Sequence, residues 1–269
     1  MAPDARGGKT CGVSRGFVDL HSHWIATIDD GVRAPADGVL LLERLHAAGF
    51  GTVFATPHMR PGMFENDRAA LERAYEAMMP HLDAARAAGK AIPEVGLSSE
   101  HFFDDIVFGR LSRGEGLPYS IANADNARGF ALIEFPQGAF PTRVQARLFD
   151  LRRMQKLTSV IAHPERYQPV WKDTACLEPL IDAGAILQMD LCSLVGKYGS
   201  KAKRAAEDLL DDEAYEIACS DAHKPDDVDD VVKSIERLES LVGKDETHRL
   251  LAEGPRALIG KRSGGIERS

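Results

Sequence analysis

The chain has 269 residues, a formal net charge of -8 and a pI of about 5.6, which excludes a general nucleic-acid-binding protein with a basic surface. Its 44% hydrophobic and 28% charged residues are typical of a soluble globular protein, and the length suits one large α/β domain. We find neither an apolar stretch long enough for a membrane span nor a secretory leader. Four scattered cysteines without a Cys-x-x-Cys pair favour a reducing, cytoplasmic location.

The sequence predicts a single domain over residues 17–260, with loose tails over residues 1–16 and 261–269 that are rich in glycine, arginine and small residues. Seven short apolar or β-prone segments are predicted strands: 17–20, 52–55, 94–97, 131–133, 159–162, 185–189 and 216–219. Amphipathic helical patterns lie between most of them, such as Leu41, Leu45 and Ala48 before Gly49. Strands that alternate with helices predict a parallel sheet, and seven such repeats favour one barrel-like domain.

Each predicted strand ends next to a residue that can bind a metal ion or a polar ligand. The first strand leads into His21 and His23, which face the same side of an extended chain. The residues after the later strands are His58, Glu100, Glu134, His163, Asp190, Asp221 and His223. In (β/α) barrels the active site lies at this carboxyl end of the strands. Because buried imidazoles and carboxylates need a partner, the pattern predicts a metal site there.

The chain lacks the motifs of a phosphate loop and of enzymes with a cysteine or serine nucleophile. Gly8-Lys9-Thr10 resembles the end of a phosphate loop, but Pro3 stands where its first glycine belongs. No cysteine is followed by an arginine six residues later, and the chain has no Gly-x-Ser-x-Gly motif. We therefore expect no protein nucleophile, which suits a mechanism in which a metal-bound water is the nucleophile.

Six motifs, taken together and in order, resemble those of the polymerase and histidinol phosphatase (PHP) superfamily. They are His21-Ser22-His23, Ile28-Asp29-Asp30-Gly31, Ala55-Thr56-Pro57-His58, Glu134-Phe135, Ala162-His163-Pro164-Glu165-Arg166 and Ser220-Asp221-Ala222-His223. Within this superfamily, the chain is most similar to the metal-dependent protein-tyrosine phosphatases of bacterial capsule and exopolysaccharide loci. The similarity extends from about residue 17 to about residue 260. The resemblance implies a distorted (β/α)7 TIM-like barrel of the PHP type with three divalent metal ions, expected to be manganese, with iron or zinc as alternatives.

The resemblance also implies which residues bind each ion. The ligands would be His21, His23, Glu100 and Asp221 for the first ion, Glu100, Glu134 and His163 for the second, and Asp30, His58 and His223 for the third. Asp29 remains an alternative to its neighbour Asp30. Imidazole and carboxylate ligands suit manganese, iron or zinc. Four carboxylates and three divalent ions leave a net charge of +2, which suits a phosphate dianion.

Arg166 and Asp221 are the predicted catalytic residues, and Arg166 is predicted to make a two-pronged contact with phosphate. The alternative for Arg166 is a salt bridge to a surface carboxylate such as Glu165. Related tyrosine phosphatases usually carry an arginine several residues after the last Asp-x-His motif, whereas residues 224–230 here are mainly acidic. Lys224 or Arg60 is the expected substitute.

We therefore predict a phosphoric monoester hydrolase, and specifically a protein-tyrosine phosphatase. The resemblance implies a phosphotyrosine-bearing partner, a bacterial tyrosine kinase of polysaccharide export. The alternatives are a small-molecule phosphatase of the histidinol-phosphate type and a non-catalytic relic barrel. An amidohydrolase barrel also begins with His-x-His, but Glu100, Glu134 and the closing Asp221-x-His223 fit it poorly. A wide, open site would favour a protein substrate, and an enclosed one would favour a metabolite.

Overall fold

A computed structural model describes residues 15–119 and 129–260. In these ranges the strands are β1 (Phe17–Asp19), β2 (Phe50–Ala55), β3 (His58–Met59), β4 (Glu94–Leu97), β5 (Glu100–Phe102), β6 (Gly129–Glu134), β7 (Leu157–Ala162), β8 (Ile186–Asp190) and β9 (Tyr215–Cys219). The α-helices are α1 (Pro35–Ala47), α2 (Arg68–Ala87), α3 (Asp105–Ser112), α4 (Val144–Gln155), α5 (Glu178–Asp182), α6 (Ser200–Asp211), α7 (Asp227–His248) and α8 (Gly254–Ile259). Short 3-10 turns cover Pro164–Arg166, Thr174–Leu177 and Leu191–Val195, and a π-helical turn covers Arg249–Glu253.

Parallel pairing connects the strands into two sheets, with the orders β1-β2-β4 and β3-β5-β6-β7-β8-β9. Only two residues separate β2 from β3 and β4 from β5, so each pair continues one strand position past an interruption. The end of β9 returns to the end of β1, where the Asp221 N–H donates to the His21 carbonyl at 3.0 Å and the His23 N–H donates to the Ala222 carbonyl at 2.9 Å. The predicted α/β barrel-type fold is confirmed.

The seven predicted strands all form, as β1, β2, β4, β6, β7, β8 and β9. The prediction missed β3 and β5, which contain only two and three residues and include the polar residues His58, Glu100 and His101 in place of an apolar run. Both contain a candidate ligand, His58 in β3 and Glu100 in β5.

The helices bury one face against the strands, and the sequence patterns explain why they form. In α1, Pro35 occupies the first turn, and Leu41, Leu42 and Leu45 are fully buried. Gly49 follows with a φ of 113°, a conformation that other residues rarely adopt, and this ends the helical segment. None of the helices in the two described ranges combines the length and apolar composition that a membrane crossing requires.

A second, smaller apolar cluster joins four strands to the last helix. It contains Val18 of β1, Leu132 of β6, Val160 of β7 and Ile217 of β9, together with Leu258 and Ile259 of α8. Because α8 contacts β1 and β9, it covers one end of the strand assembly. The carboxyl ends of the strands remain available for polar residues.

Most of the two predicted tails lies outside the described residues. Arg15 and Gly16, which the prediction assigned to the first tail, contact the domain. The Arg15 guanidinium lies 2.7 Å from the Glu239 carboxylate in α7, and the Gly16 carbonyl accepts a hydrogen bond from Arg256 in α8.

Candidate metal centre

The candidate ligands lie where parallel strands end, and most of them are buried. His21 and His23 follow β1, His163 follows β7, and Asp221 and His223 follow β9. The backbones of His163 and Asp221 have φ values of 35° and 45°, in the left-handed region that non-glycine residues rarely adopt. Such strained conformations occur where a fold must aim a side chain at a functional site.

The four side chains predicted for the first ion converge. His21 Nε2 lies 3.1 Å from Glu100 Oε2 and 3.2 Å from Asp221 Oδ1. His23 Nε2 lies 3.5 Å and 3.4 Å from the same two oxygens. Two imidazoles therefore face two carboxylates across one small space.

Glu100 also faces the residues predicted for the second ion, but in a different grouping. His163 Nε2 lies 3.0 Å from Glu100 Oε1, and the close group that contains His163 is completed by His21. Glu134 groups instead with Glu100 and His58, whose Nδ1 lies 3.2 Å from Glu100 Oε2 and 3.9 Å from Glu134 Oε2. Glu100 thus occupies the centre of the cluster.

The residues predicted for the third ion meet at the solvent-facing side. Asp30 Oδ1 lies 3.3 Å from His58 Nε2 and 3.6 Å from His223 Nε2, and His23 belongs to the same group. The Asp30 side chain is 56% exposed, whereas that of Asp29 is only 1% exposed. Asp29 lies behind the cluster and accepts hydrogen bonds from His23 Nδ1 at 2.9 Å and from the backbone N–H of His58 at 3.1 Å.

Hydrogen bonds to the far side of the rings orient them. His21 Nδ1 lies 3.0 Å from Gln188 Oε1, and His223 Nδ1 lies 2.9 Å from the Asp221 carbonyl oxygen. Each acceptor holds the proton on Nδ1 and leaves the Nε2 lone pair free for the cluster. The sequence reasoning missed Gln188, although a fully buried amide inside the otherwise apolar segment 185–189 is a signal that could have identified it.

The buried donor atoms fit divalent metal ions. Atoms without a hydrogen-bond partner, among the described residues, include His21 Nε2, His23 Nε2, His58 Nδ1, Glu134 Oε2 and Asp221 Oδ1. A buried polar atom left unpaired costs about 1–3 kcal/mol, and these atoms share one region. Among the described residues, the donor atoms within each of four His, Asp and Glu groups lie within 4.8 Å of one another.

The pKa shifts in the crowded cluster also indicate a site for metal cations. Burial, with the Glu100 carboxylate nearby, raises the pKa of Glu134 to about 7. Burial alone would lower the pKa of His21, but the charges of Glu100 and Asp221 outweigh it and raise the pKa to about 9. The cluster therefore carries excess negative charge, which divalent cations would neutralise, and its mixed imidazole and carboxylate donors suit manganese, iron or zinc.

Arg166 borders the cluster from the 3-10 turn that follows β7. Its Nη1 lies 2.5 Å from Asp221 Oδ2 and 3.5 Å from Asp190 Oδ2, and its guanidinium carbon lies 4.3 Å from the centre of the Tyr198 ring. Its Nε is buried and has no partner among the described residues. The alternative pairing with Glu165 is wrong, because that carboxylate is fully buried and accepts from the Asp190 N–H.

The two expected substitutes for the missing arginine differ in position. The Arg60 guanidinium lies 3.9 Å above the Phe102 ring and is close enough to Glu134 to act against the rise in its pKa. Lys224 is exposed, and its backbone N–H binds the Asp227 carboxylate at 3.1 Å. No contact in the described part of the chain connects its ammonium group to the cluster, so Arg60 is the nearer of the two.

Parallel strands that present buried histidines and carboxylates at their carboxyl ends define a barrel-type, metal-dependent enzyme. A family model described as "Capsular polysaccharide synthesis, CpsB/CapC" matches residues 17–260. The chain belongs to this family.

Individual relatives agree with the family. The chain is 26% identical over 207 residues to the tyrosine-protein phosphatase YwqE of Bacillus subtilis, and this covers 77% of each protein. It is 25% identical over 249 residues to the tyrosine-protein phosphatase CpsB of Streptococcus pneumoniae, which covers 90% of this chain and 98% of CpsB. A solved structure from work on YwqE and CpsB, described as unique metal-dependent tyrosine phosphatases, superposes with a TM-score of 0.78 at 25% identity, over 91% of this chain and 95% of the other.

More distant structures support the fold alone. The phosphotriesterase homology protein of Escherichia coli has a TM-score of 0.55 at 14% identity, over 92% of this chain and 99% of that chain. The resemblance inferred from the motifs is therefore confirmed for the family and for the fold.

Proposed function

We propose that this protein is a metal-dependent protein-tyrosine phosphatase that hydrolyses phosphotyrosine on a partner protein. The observation that carries the proposal is the convergence of buried imidazoles and carboxylates on one space with Arg166 at its edge. Membership of the capsular polysaccharide family and the names of the relatives support the same activity. Cys192 and Cys219 are fully buried, and burial raises the pKa of both thiols, so neither is suited to be the nucleophile.

We propose three ions, with manganese as the expected metal and Asp30 rather than Asp29 as a ligand. Asp30 supports this choice because it faces His58 and His223, whereas Asp29 Oδ2 is occupied by hydrogen bonds from His23 and His58. When bound, divalent ions supply an activated water nucleophile and neutralise the phosphoryl oxygens.

The protein's own residues position the reaction. Gln188 and Asp29 hold the rings of His21 and His23, which fixes where their Nε2 atoms point. Arg166, whose side chain is 17% exposed, would bind phosphoryl oxygens through the part of its guanidinium group that Asp221 leaves free. Asp221 Oδ2 anchors this guanidinium while Asp221 Oδ1 faces the histidines. Substrate binding and metal binding thus meet at one carboxylate.

The open side of the site favours a protein substrate over a metabolite. His21 and His163 are buried, whereas the side chain of Asp30 is 56% exposed and that of His223 is 27% exposed. The Phe64 ring lies parallel to His58 with 5.5 Å between ring centres, which provides an apolar wall beside the cluster. These features suit a tyrosine side chain presented from a protein surface.

Family membership supports a bacterial tyrosine kinase of polysaccharide export as the phosphotyrosine-bearing partner. We place the reaction in the cytoplasm. The three described cysteines, Cys176, Cys192 and Cys219, are free thiols, which suits a reducing compartment.

The test compares substrates on protein purified without a chelator. A phosphotyrosine peptide should be hydrolysed with a kcat/KM at least about tenfold above those of histidinol phosphate and a phosphoserine peptide. Chelation should abolish the activity and added Mn²⁺ should restore it, whereas thiol alkylation should leave it intact. A preference for histidinol phosphate would replace the proposal with the small-molecule alternative. Activity that survives chelation but not alkylation would exclude the metal mechanism.

A further inference from the structure

A groove with charged walls runs along α6, beside the candidate metal centre. Its first part is a cavity of about 540 Å³ whose lining includes Trp171, Lys172, Lys201, Arg204 and Asp208. A second cavity of about 470 Å³ shares Trp171, Lys172 and Asp208 with the first and adds further residues that include Asp211 and Asp212. The groove is therefore basic near the start of α6 and acidic near its end.

The basic end lies next to Arg166. Two residues that line the first cavity follow this region closely in the sequence. Gln168 lies two residues after Arg166, and Ser200 lies two residues after Tyr198, whose ring lies 4.3 Å from the Arg166 guanidinium carbon. Helix α6 also packs against the 3-10 turn that carries Arg166. The basic end of the groove thus lies on the helix that packs against the Arg166 turn.

The cations of the groove are available for a ligand. None of Lys172, Lys201 and Arg204 forms an ion pair with a described residue, although Lys201 Nζ lies 5.5 Å from the centre of the Trp171 ring. Trp171 is held in place because its Nε1–H donates to the Glu165 carbonyl at 2.8 Å. Three cations without an ion-pair partner among the described residues therefore line the cavity that contains this anchored indole.

We propose that this groove binds the segment that flanks phosphotyrosine in the substrate protein, with acidic residues at its basic end. The proposal rests on the phosphatase function proposed above. From Ser200 to Asp208 the helix rises about 12 Å, at about 1.5 Å per residue. An extended peptide covers that distance with about four residues. Acidic side chains within roughly the first three residues from the phosphotyrosine would meet Lys201 and Arg204.

The acidic end of the groove also predicts the order of charged residues in the bound peptide. Asp208, Asp211 and Asp212 would favour a basic side chain farther from the phosphotyrosine. The preferred substrate peptide therefore has acidic residues next to the phosphotyrosine and a basic residue after them. A peptide of the same composition in the opposite charge order should bind less well, although its net charge is identical.

The test measures binding of fluorescent peptides that carry a non-hydrolysable phosphonomethyl analogue of phosphotyrosine, with Mn²⁺ present. Anisotropy titrations compare the acidic-then-basic peptide with its charge-reversed permutation. The full chain should prefer the first by about tenfold, which several partly exposed charge pairs can provide together. In the Arg204→Glu variant the preference should fall below about threefold.

Lys203→Glu is the matched control, because Lys203 is adjacent on the same helix but does not line either cavity. It should keep the preference. Equal affinities of the two peptides for the full chain, or equal losses in Arg204→Glu and Lys203→Glu, would overturn the groove proposal. Hydrolysis of phosphotyrosine peptides without any preference for charge order would contradict the groove proposal but support the phosphatase function. An order preference in binding without any hydrolysis would support the groove and count against the phosphatase function.

Discussion

Asp221 uses its two carboxylate oxygens for different tasks. Oδ1 faces the Nε2 atoms of His21 and His23 at 3.2 Å and 3.4 Å, and Oδ2 lies 2.5 Å from Arg166 Nη1. In the proposed function, Oδ1 would bind a metal ion while Oδ2 anchors the guanidinium, which is not a metal ligand.

Replacing Arg166 tests that separation. Arg166→Ala should lower kcat/KM for an aryl phosphate by about 10², the usual loss when one preorganised charged donor is removed. Metal content, measured by elemental analysis, should not change. Arg166→Lys should recover only part of the activity, because an ammonium group cannot make the two-pronged contact. Full activity of Arg166→Ala with metals bound would assign Arg166 a structural role and leave Arg60 as the nearer of the two expected substitutes.

Gln188 is expected to act through His21. Gln188→Leu removes the acceptor of the His21 Nδ1 proton, so metal affinity or kcat should fall by about 10–100-fold. Gln188→Glu should retain most of both, because a carboxylate accepts the same hydrogen bond. Gln145→Leu, at an exposed position of α4, serves as the control. If Gln188→Leu binds metal with the affinity of the unmodified protein, the orientation of His21 does not depend on this hydrogen bond.

At this scale the sequence predicted which residues gather, but not how they are grouped. The occurrence of ligand-type residues after strands indicated most of the set, because parallel strands present their carboxyl ends at one edge, whereas Asp30 follows no strand and was assigned from the resemblance. It did not separate Asp29 from Asp30, because two adjacent carboxylates differ only in the direction that the turn gives them. It also failed for the partner of Arg166, since a contact with Asp221 across 55 positions leaves no local pattern.

At the scale of elements, the regular strands were predictable and the interrupted ones were not. β6 and β7 contain the apolar runs 130–133 and 160–162, which are visible in the sequence. β3 and β5 have two and three residues and contain His58, Glu100 and His101, so they lack such a run. The prediction thus failed at the strands whose sequence serves the candidate site.

The turn that carries Asp29 and Asp30 is packed tightly against His23. A Cβ atom on Gly31 would lie 2.2 Å from the His23 carbonyl oxygen and 2.7 Å from the His23 Cβ. Gly31→Ala should therefore displace the turn, lower the number of bound ions and reduce activity by about tenfold or more, as small displacements in a catalytic site do. Gly138→Ala is the control, because nothing lies within 4 Å of its added Cβ. Unchanged metal content and activity in Gly31→Ala would show that the turn accommodates the added methyl group without displacing Asp30, contrary to this prediction.

At the scale of the whole molecule, the two ends of the strand assembly have opposite character. One end is covered by α8 and its apolar residues Leu258 and Ile259. The other end gathers buried carboxylates and imidazoles, and several of their atoms lack a hydrogen-bond partner among the described residues, which costs stability unless cations are bound. The larger hydrophobic core formed by helices and strands supports the fold, and the candidate metal site lies at the carboxyl ends of the strands.

Metal ions should therefore stabilise the whole protein. A ligand present at 1,000 times its Kd adds about 4 kcal/mol to the free energy of unfolding. In a chain of this size that corresponds to a rise in Tm of roughly 10 °C. Chelation should lower the Tm by about this amount and Mn²⁺ should restore it, as measured by calorimetry. His21→Ala should show a much smaller response, whereas His81→Ala, at an exposed position of α2, should respond like the unmodified protein. If chelation leaves the Tm of the unmodified protein unchanged, the cluster does not depend on bound ions and the excess negative charge must be balanced by protonation of Glu134, whose pKa burial raises to about 7.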